Sequence, residues 1–256
     1  MARPGGTDVD RKWWTLLIVC IGTFMLLLDI TVVAVALPDI QAALHSTFSD
    51  LQWVVDAYSL TLASLLLTAG VVGDMFGRRG VYVVGLGLFT GSSLACGLAS
   101  SSLMLILARG AQGVGAAVMF TTGLALLAQE FSGRERGTAF GVYGAVLGGA
   151  LALGPLVGGA ITSGIGWRWI FFVNLPLGVL AVALTLWQVE APRVVVRRRI
   201  DWAGFAAFTA SLFMLVYALV QGNTLGWRST TVLSLLAGSA VLMALFLVVE
   251  WRQGDP

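Results

Sequence analysis

Three ionisable side chains stand inside long apolar runs of this chain. Asp29 falls in the run 13–37, Asp56 in 52–72 and Arg109 in 102–128. A charge facing hydrocarbon near a helix centre costs at least about 2.5–3.5 kcal/mol, so each should face a cavity or a partner. A buried carboxyl group can exchange its proton reversibly, so Asp29 and Asp56 are candidates for binding a proton or a cationic substrate. Asp56 is read as one turn into its run, nearer the outer interface. The bland alternative for all three is a structural ion pair or a water-lined groove without a transport role.

The run 137–163 carries a different signal. Gly137, Gly141, Gly144, Gly148, Gly149, Gly154, Gly158 and Gly159 crowd it, and Pro155 lies inside it. Glycines four apart leave a smooth face for close helix packing. A proline removes one helical hydrogen bond and kinks or loosens the helix. Such a helix can control how a bundle opens, or it can be a packing ridge alone.

Other chemistry has little material. Gly85-x-Gly87-x-x-x-Gly91 lacks the spacing of a dinucleotide fingerprint and lies within an apolar run. No nucleophile–base pair is visible, which argues against an enzyme. His45 is the one histidine, and Cys20 and Cys96 both sit in apolar runs, so neither a metal site nor a disulfide is expected. Asp8 and Asp10 read as solvated tail charges.

The elements that carry these residues follow from composition. Apolar residues make up 58 % of the chain and charged ones 11 %, with a mean hydropathy of +0.91. Soluble chains hold about 45–50 % and about 25 %. No soluble core hides that much apolar surface behind so few charges, so the solvent is lipid. The net charge of +2 gives no basis for a nucleic-acid partner. Eight runs, 13–37, 52–72, 80–99, 102–128, 137–163, 168–188, 202–221 and 230–250, are each long enough to cross a bilayer as a helix. The first is too long for a signal-peptide core and is read as a retained span. Arg3, Arg11, Lys12, Arg78, Arg79, Arg134, Arg136, Arg193, Arg197, Arg198, Arg199 and Arg252 fall at the tails or in alternate loops, whereas the opposite connections hold Arg168 and Arg228. The positive-inside rule therefore places both termini in the cytoplasm, in agreement with an even number of spans.

Several motifs then resemble one family. Gly70-Val71-Val72-Gly73-Asp74-Met75-Phe76-Gly77-Arg78-Arg79 is similar to the loop after the second span of the major facilitator superfamily, with Met75 where an arginine is usual. Arg109-Gly110-Ala111-Gln112-Gly113-Val114-Gly115 resembles that family's fourth-span pattern. Gly154-Pro155-Leu156-Val157-Gly158-Gly159 resembles the fifth-span motif of drug/proton antiporters, with Ala150 at its preceding glycine position. Three further stretches are similar to the fourteen-helix drug antiporters. These are Leu28 to Pro38, with Ala34 for a common asparagine, Trp167 to Gly178, and the basic loop ending in Ile200-Asp201-Trp202-Ala203-Gly204.

The resemblance implies an all-α membrane fold. A cytoplasmic tail (1–12) would precede a six-helix N-terminal half (13–190), a basic cytoplasmic loop (191–201), two additional central helices (202–250) and a short end (251–256). It implies proton-coupled efflux of drug-like, lipophilic or cationic small molecules from a cell membrane, driven by the proton gradient with no cofactor. Asp29 would bind substrate or proton, Arg109 would relay protons, and Asp56 resembles the second-span acid of members that expel organic cations. Gly70, Asp74, Gly77, Arg78 and Arg79 would form a cytoplasmic latch, and Gly154, Pro155, Gly158 and Gly159 the conformational switch. The family's working unit has two six-helix halves, and the sequence reaches Pro256 after the first half and two more spans. Transport is therefore expected to need a C-terminal half or a second copy. A truncated, non-transporting interaction protein and a nutrient uptake permease are the alternatives.

Overall fold

The computed structural model describes residues 8–189 and 202–253. The basic loop 191–201, the first seven residues of the tail and the last three residues of the chain lie outside the described residues. Among the described residues the helices are α1 (Asp8–Leu44), α2 (Phe48–Phe76), α3 (Arg78–Gly97), α4 (Ser102–Glu130), α5 (Gly133–Ile165), α6 (Trp169–Phe172), α7 (Asn174–Gln188), α8 (Trp202–Leu225) and α9 (Thr230–Gln253). Eight stretches are apolar and long enough to cross a bilayer, with α6 and α7 together forming the sixth.

Local chemistry sets the turns between them. Thr47 caps α2 through a reciprocal pair, its hydroxyl accepting from the Asp50 amide at 3.2 Å while its own amide donates to Asp50 Oδ2 at 2.9 Å. Ser101 caps α4 by accepting from the Met104 amide. Between α2 and α3 the reversal takes one residue, Gly77, at φ +95°, a backbone region that side chains disfavour.

Two of the sequence boundaries move. The first span is read from the sequence as the run 13–37, whereas α1 runs through Pro38 to Leu44. Ile40 is fully buried in the apolar cluster with Val33, Ala36 and Leu51, and that burial holds the extra turns in place. The sixth span is broken at Val173, with Pro176 three residues on. Pro176 has no N–H, so the Phe172 carbonyl loses its helical donor.

Helix α4 packs on α2 and α3, α5 lies along α1, and α7 packs on α3 and α1. The additional pair, α8 and α9, packs on itself and joins the rest through α2. The buried apolar side chains form two layers. One holds Leu16, Val19, Tyr82, Leu126 and Phe131; the other holds Val32, Ile40, Leu51, Val54 and Trp167. Asp29 lies between Leu26 of the first layer and Val32 of the second. The polar site therefore sits at a seam between two apolar masses.

Candidate functional site

Asp29 and Arg109 meet. Arg109 Nη1 donates to Asp29 Oδ2, and the two residues are 1 % and 3 % exposed. Three close-packed helices make the meeting possible. Gly113 of α4 lies directly against Tyr58 and Thr61 of α2, leaving no room for a Cβ. Thr61 Oγ1 donates to the Gly110 carbonyl at 2.9 Å and ties the same two helices. Arg109 then reaches across α2, where its Nε donates to the Val54 carbonyl at 3.1 Å and its guanidinium lies over the Tyr58 ring, 4.1 Å from the centroid.

The pair is the centre of a larger network. Gln112, one turn beyond Arg109, accepts from Arg109 Nη1 at 2.8 Å and donates to Asp29 Oδ1 at 3.0 Å. Asn174, the first residue of α7, donates to Asp29 Oδ1 at 3.3 Å and to Ser93 Oγ at 3.0 Å. Ser93 donates in turn to the Phe171 carbonyl at 2.9 Å, beside the break in the sixth span. The Cys96 thiol approaches Gln112 Oε1 at 3.6 Å. Asp29 thus takes three donors from two other helices, which is what an ionised carboxylate in an apolar interior requires.

Asp56 is not part of this cluster. It lies two residues from Val54 and two from Tyr58, so it is rotated about 200° around α2 from both, while differing in depth from Val54 by only about 3 Å. Asp56 is the ninth residue of α2 and lies level with the Arg109 side chain, on the far side of α2. Its Oδ2 accepts from Gln221 Nε2 of α8 at 3.4 Å. The expected latch residues gather at the end of the bundle where α2 stops. Asp74 Oδ1 accepts from Arg78 Nε and Nη2, both at 2.8 Å, and Arg78 Nη1 donates to the Ala125 carbonyl near the end of α4 at 3.0 Å. Arg79 Nη2 donates to the Leu186 carbonyl at 2.7 Å and so holds the end of α7.

Comparison with known proteins identifies the family. The family model described as Major Facilitator Superfamily matches residues 19–252. The chain belongs to the major facilitator superfamily. It is 42 % identical over 243 residues to the Multidrug resistance protein Stp of Mycobacterium tuberculosis (strain CDC 1551 / Oshkosh), covering 94 % of this chain and 45 % of that protein. It is 39 % identical over 247 residues to the Puromycin resistance protein pur8 of Streptomyces alboniger, covering 96 % and 49 %. The Tetracenomycin C resistance and export protein of Streptomyces glaucescens is 36 % identical over 249 residues, with 96 % and 46 % covered. The chain spans about half the length of these curated relatives.

Within the superfamily fold, the fifth-span motif divides between two faces. A Cβ on Gly154 would collide with the Thr31 side chain of α1, and one on Gly158 would lie 3.1 Å from the Val32 Cα. Gly159 meets nothing within 4 Å and Pro155 is exposed, so these two face away from α1. Near the expected latch residues, a Cβ on Gly70 would make only an ordinary contact at 4.0 Å, whereas Gly73 packs tightly on Thr122. Four members of the central network were not singled out as site residues from sequence: Gln112, Asn174, Ser93 and Tyr58. Gln112 and Asn174 stand within the quoted motifs as amides in apolar runs, and that polarity was the available signal. Ser93 and Tyr58 are side-chain types common in any span and carried none.

Proposed function

We propose that this chain is the N-terminal portion of a proton-coupled antiporter that expels drug-like, lipophilic or cationic small molecules, working with a C-terminal half. The observation that carries this reading is the buried Asp29–Arg109 pair with its amide shell, set between two apolar layers. Asp29 is the proton-binding group, Arg109 stabilises its ionised form, and Gln112 and Asn174 hold the carboxylate in register. Proton uptake on Asp29 breaks the pair and frees Arg109, which gives the transporter its two states. The names of the relatives, which speak of multidrug, puromycin and tetracenomycin C resistance, support efflux as the direction. The positive-inside rule places the Arg78–Arg79 end, and with it both termini, in the cytoplasm.

The test is proton-driven efflux of ethidium from inverted vesicles carrying this chain alone or together with the C-terminal half of a relative. Efflux restored by the second half supports the reading. Absence of efflux in both, with both polypeptides in the membrane, overturns it. A non-transporting interaction protein predicts that second outcome, and uptake along the proton gradient would identify a permease instead.

A further inference from the structure

The carboxylate of Asp56 is unlike that of Asp29. Among the described residues no cation pairs with it, and its hydrogen-bond partner is the neutral amide of Gln221. It is partly exposed, yet it lies level with the Arg109 side chain, about 12 Å along the apolar span Phe48–Phe76. An ionised group within a span calls for a countercharge, and the described residues do not supply one.

Its surroundings suggest what does. One turn away on α2, Trp53 meets Tyr217 of α8 with ring centroids 5.7 Å apart. Tyr217 is stacked in turn on Phe213 at 6.3 Å. Phe213, Tyr217 and Gln221 are four residues apart and so share one face of α8, while Trp53 and Asp56, three apart, share one face of α2. Trp53, Asp56 and Tyr217 are all partly exposed, so a ligand can reach them. The seam is fastened further along by Thr68 and Thr209, whose hydroxyls lie 2.8 Å apart. An unpaired carboxylate beside electron-rich ring faces, with an amide to orient it, is the chemistry that recognises an organic cation.

We infer that α8 supplies half of a binding site for a lipophilic organic cation at the α2–α8 seam, with Asp56 as countercharge, Trp53 and Tyr217 as ring faces and Gln221 as the group that orients the carboxylate. This rests on the efflux reading for its purpose, since it makes one of the two additional helices part of substrate recognition. The binding itself requires no transport and no proton gradient.

The experiment is calorimetric binding of tetraphenylphosphonium to the full chain in lipid nanodiscs, with uncharged triphenylphosphine oxide as the comparison probe. The wild type binds the cation in preference to the neutral probe. Asp56→Asn weakens cation binding by at least about tenfold, and Tyr217→Leu by about three- to tenfold, whereas Tyr217→Phe keeps the ring and most of the affinity. Gln221→Lys separates binding from mere helix contact: it keeps a donor to Asp56, adds the missing charge, and is expected to abolish cation binding. Ser234→Ala, on α9, leaves binding as in the wild type. Wild-type affinity in both Gln221→Lys and Tyr217→Leu overturns the role of α8. Equal binding of the neutral probe, or no loss in Asp56→Asn, overturns the cation site itself. Should Gln221→Lys fail to fold, as judged by size-exclusion chromatography, Tyr217→Leu against Tyr217→Phe decides the question. Failure of ethidium efflux with intact tetraphenylphosphonium binding would sink the transport reading alone.

Discussion

At the scale of the residue, Asp29 and Arg109 are interdependent in a way that makes their single and double variants informative. Arg109→Gln leaves a carboxylate in a nearly dry interior with only the amides of Gln112 and Asn174, and removing one partner of a buried pair typically costs about 3–5 kcal/mol. Asp29→Asn with Arg109→Gln replaces both charges by neutral hydrogen-bonding groups and is expected to recover most of that loss. Thermal unfolding in detergent reads the cycle, and additive losses would mean that the pair is not coupled. Asp29→Asn alone is expected to insert normally and to abolish coupled transport; wild-type ethidium efflux in that variant would remove its proposed role. The two charges were legible in the sequence because ionisable groups are so disfavoured in apolar runs. Their partnership was not, since 80 residues separate them and only the packing of α1 on α4 shows which face each presents. Asp56 makes the same point from the other side: its type marked it, but only its angle on α2 reveals that it serves a different helix.

At the scale of the element, the glycines of α5 divide by what lies opposite them. Those at 154 and 158 touch α1 at a distance that excludes a side chain, while those at 141, 144 and 148 meet nothing within 4 Å. Gly158→Ala pushes a methyl group against the Val32 backbone, which cannot rotate away, and is expected to destabilise this chain by about 1–3 kcal/mol. Gly148→Ala removes only the conformational freedom of a glycine in a helix and is expected to be neutral or stabilising by up to about 1 kcal/mol. Chemical or thermal unfolding of the two variants side by side is the measurement, and equal losses would contradict the packing. The glycine spacing was readable as a close-packing face, but spacing alone does not say which of several glycine rows faces α1. The broken sixth span shows the same boundary. Pro176 announces a weak point, yet only the structure shows that Asn174 at its edge reaches Asp29 and that Ser93 takes up the nearby Phe171 carbonyl.

At the scale of the whole molecule, the bundle has two chemically different ends. One holds Lys12 bonded to Glu135 at 2.5 Å, the Asp74–Arg78 pair and Arg79 on the end of α7. The other holds the Ser46–Ser102 hydroxyl contact at 2.7 Å and Arg168, which donates to the Ala99 carbonyl. The alternation of these ends along the chain was legible from the arginines, because charge placement is written directly in the sequence. What they do at the first end was not: rather than lying free to meet lipid headgroups, Arg78 and Arg79 cap the ends of α4 and α7, so residues expected to orient the chain also fasten its helices. The positive-inside rule then makes a sharp prediction. A cysteine introduced at Thr47, in the exposed turn before α2, should react with a membrane-impermeant maleimide in intact cells. One introduced at Ser132, in the exposed turn between α4 and α5, should react only after the membrane is opened. The native background is favourable, since Cys20 and Cys96 are both buried. The reverse pattern would place the Arg78–Arg79 end outside and would overturn the assignment of the latch to the cytoplasmic side, whereas labelling at both positions in intact cells would show a mixed topology that the charge asymmetry forbids.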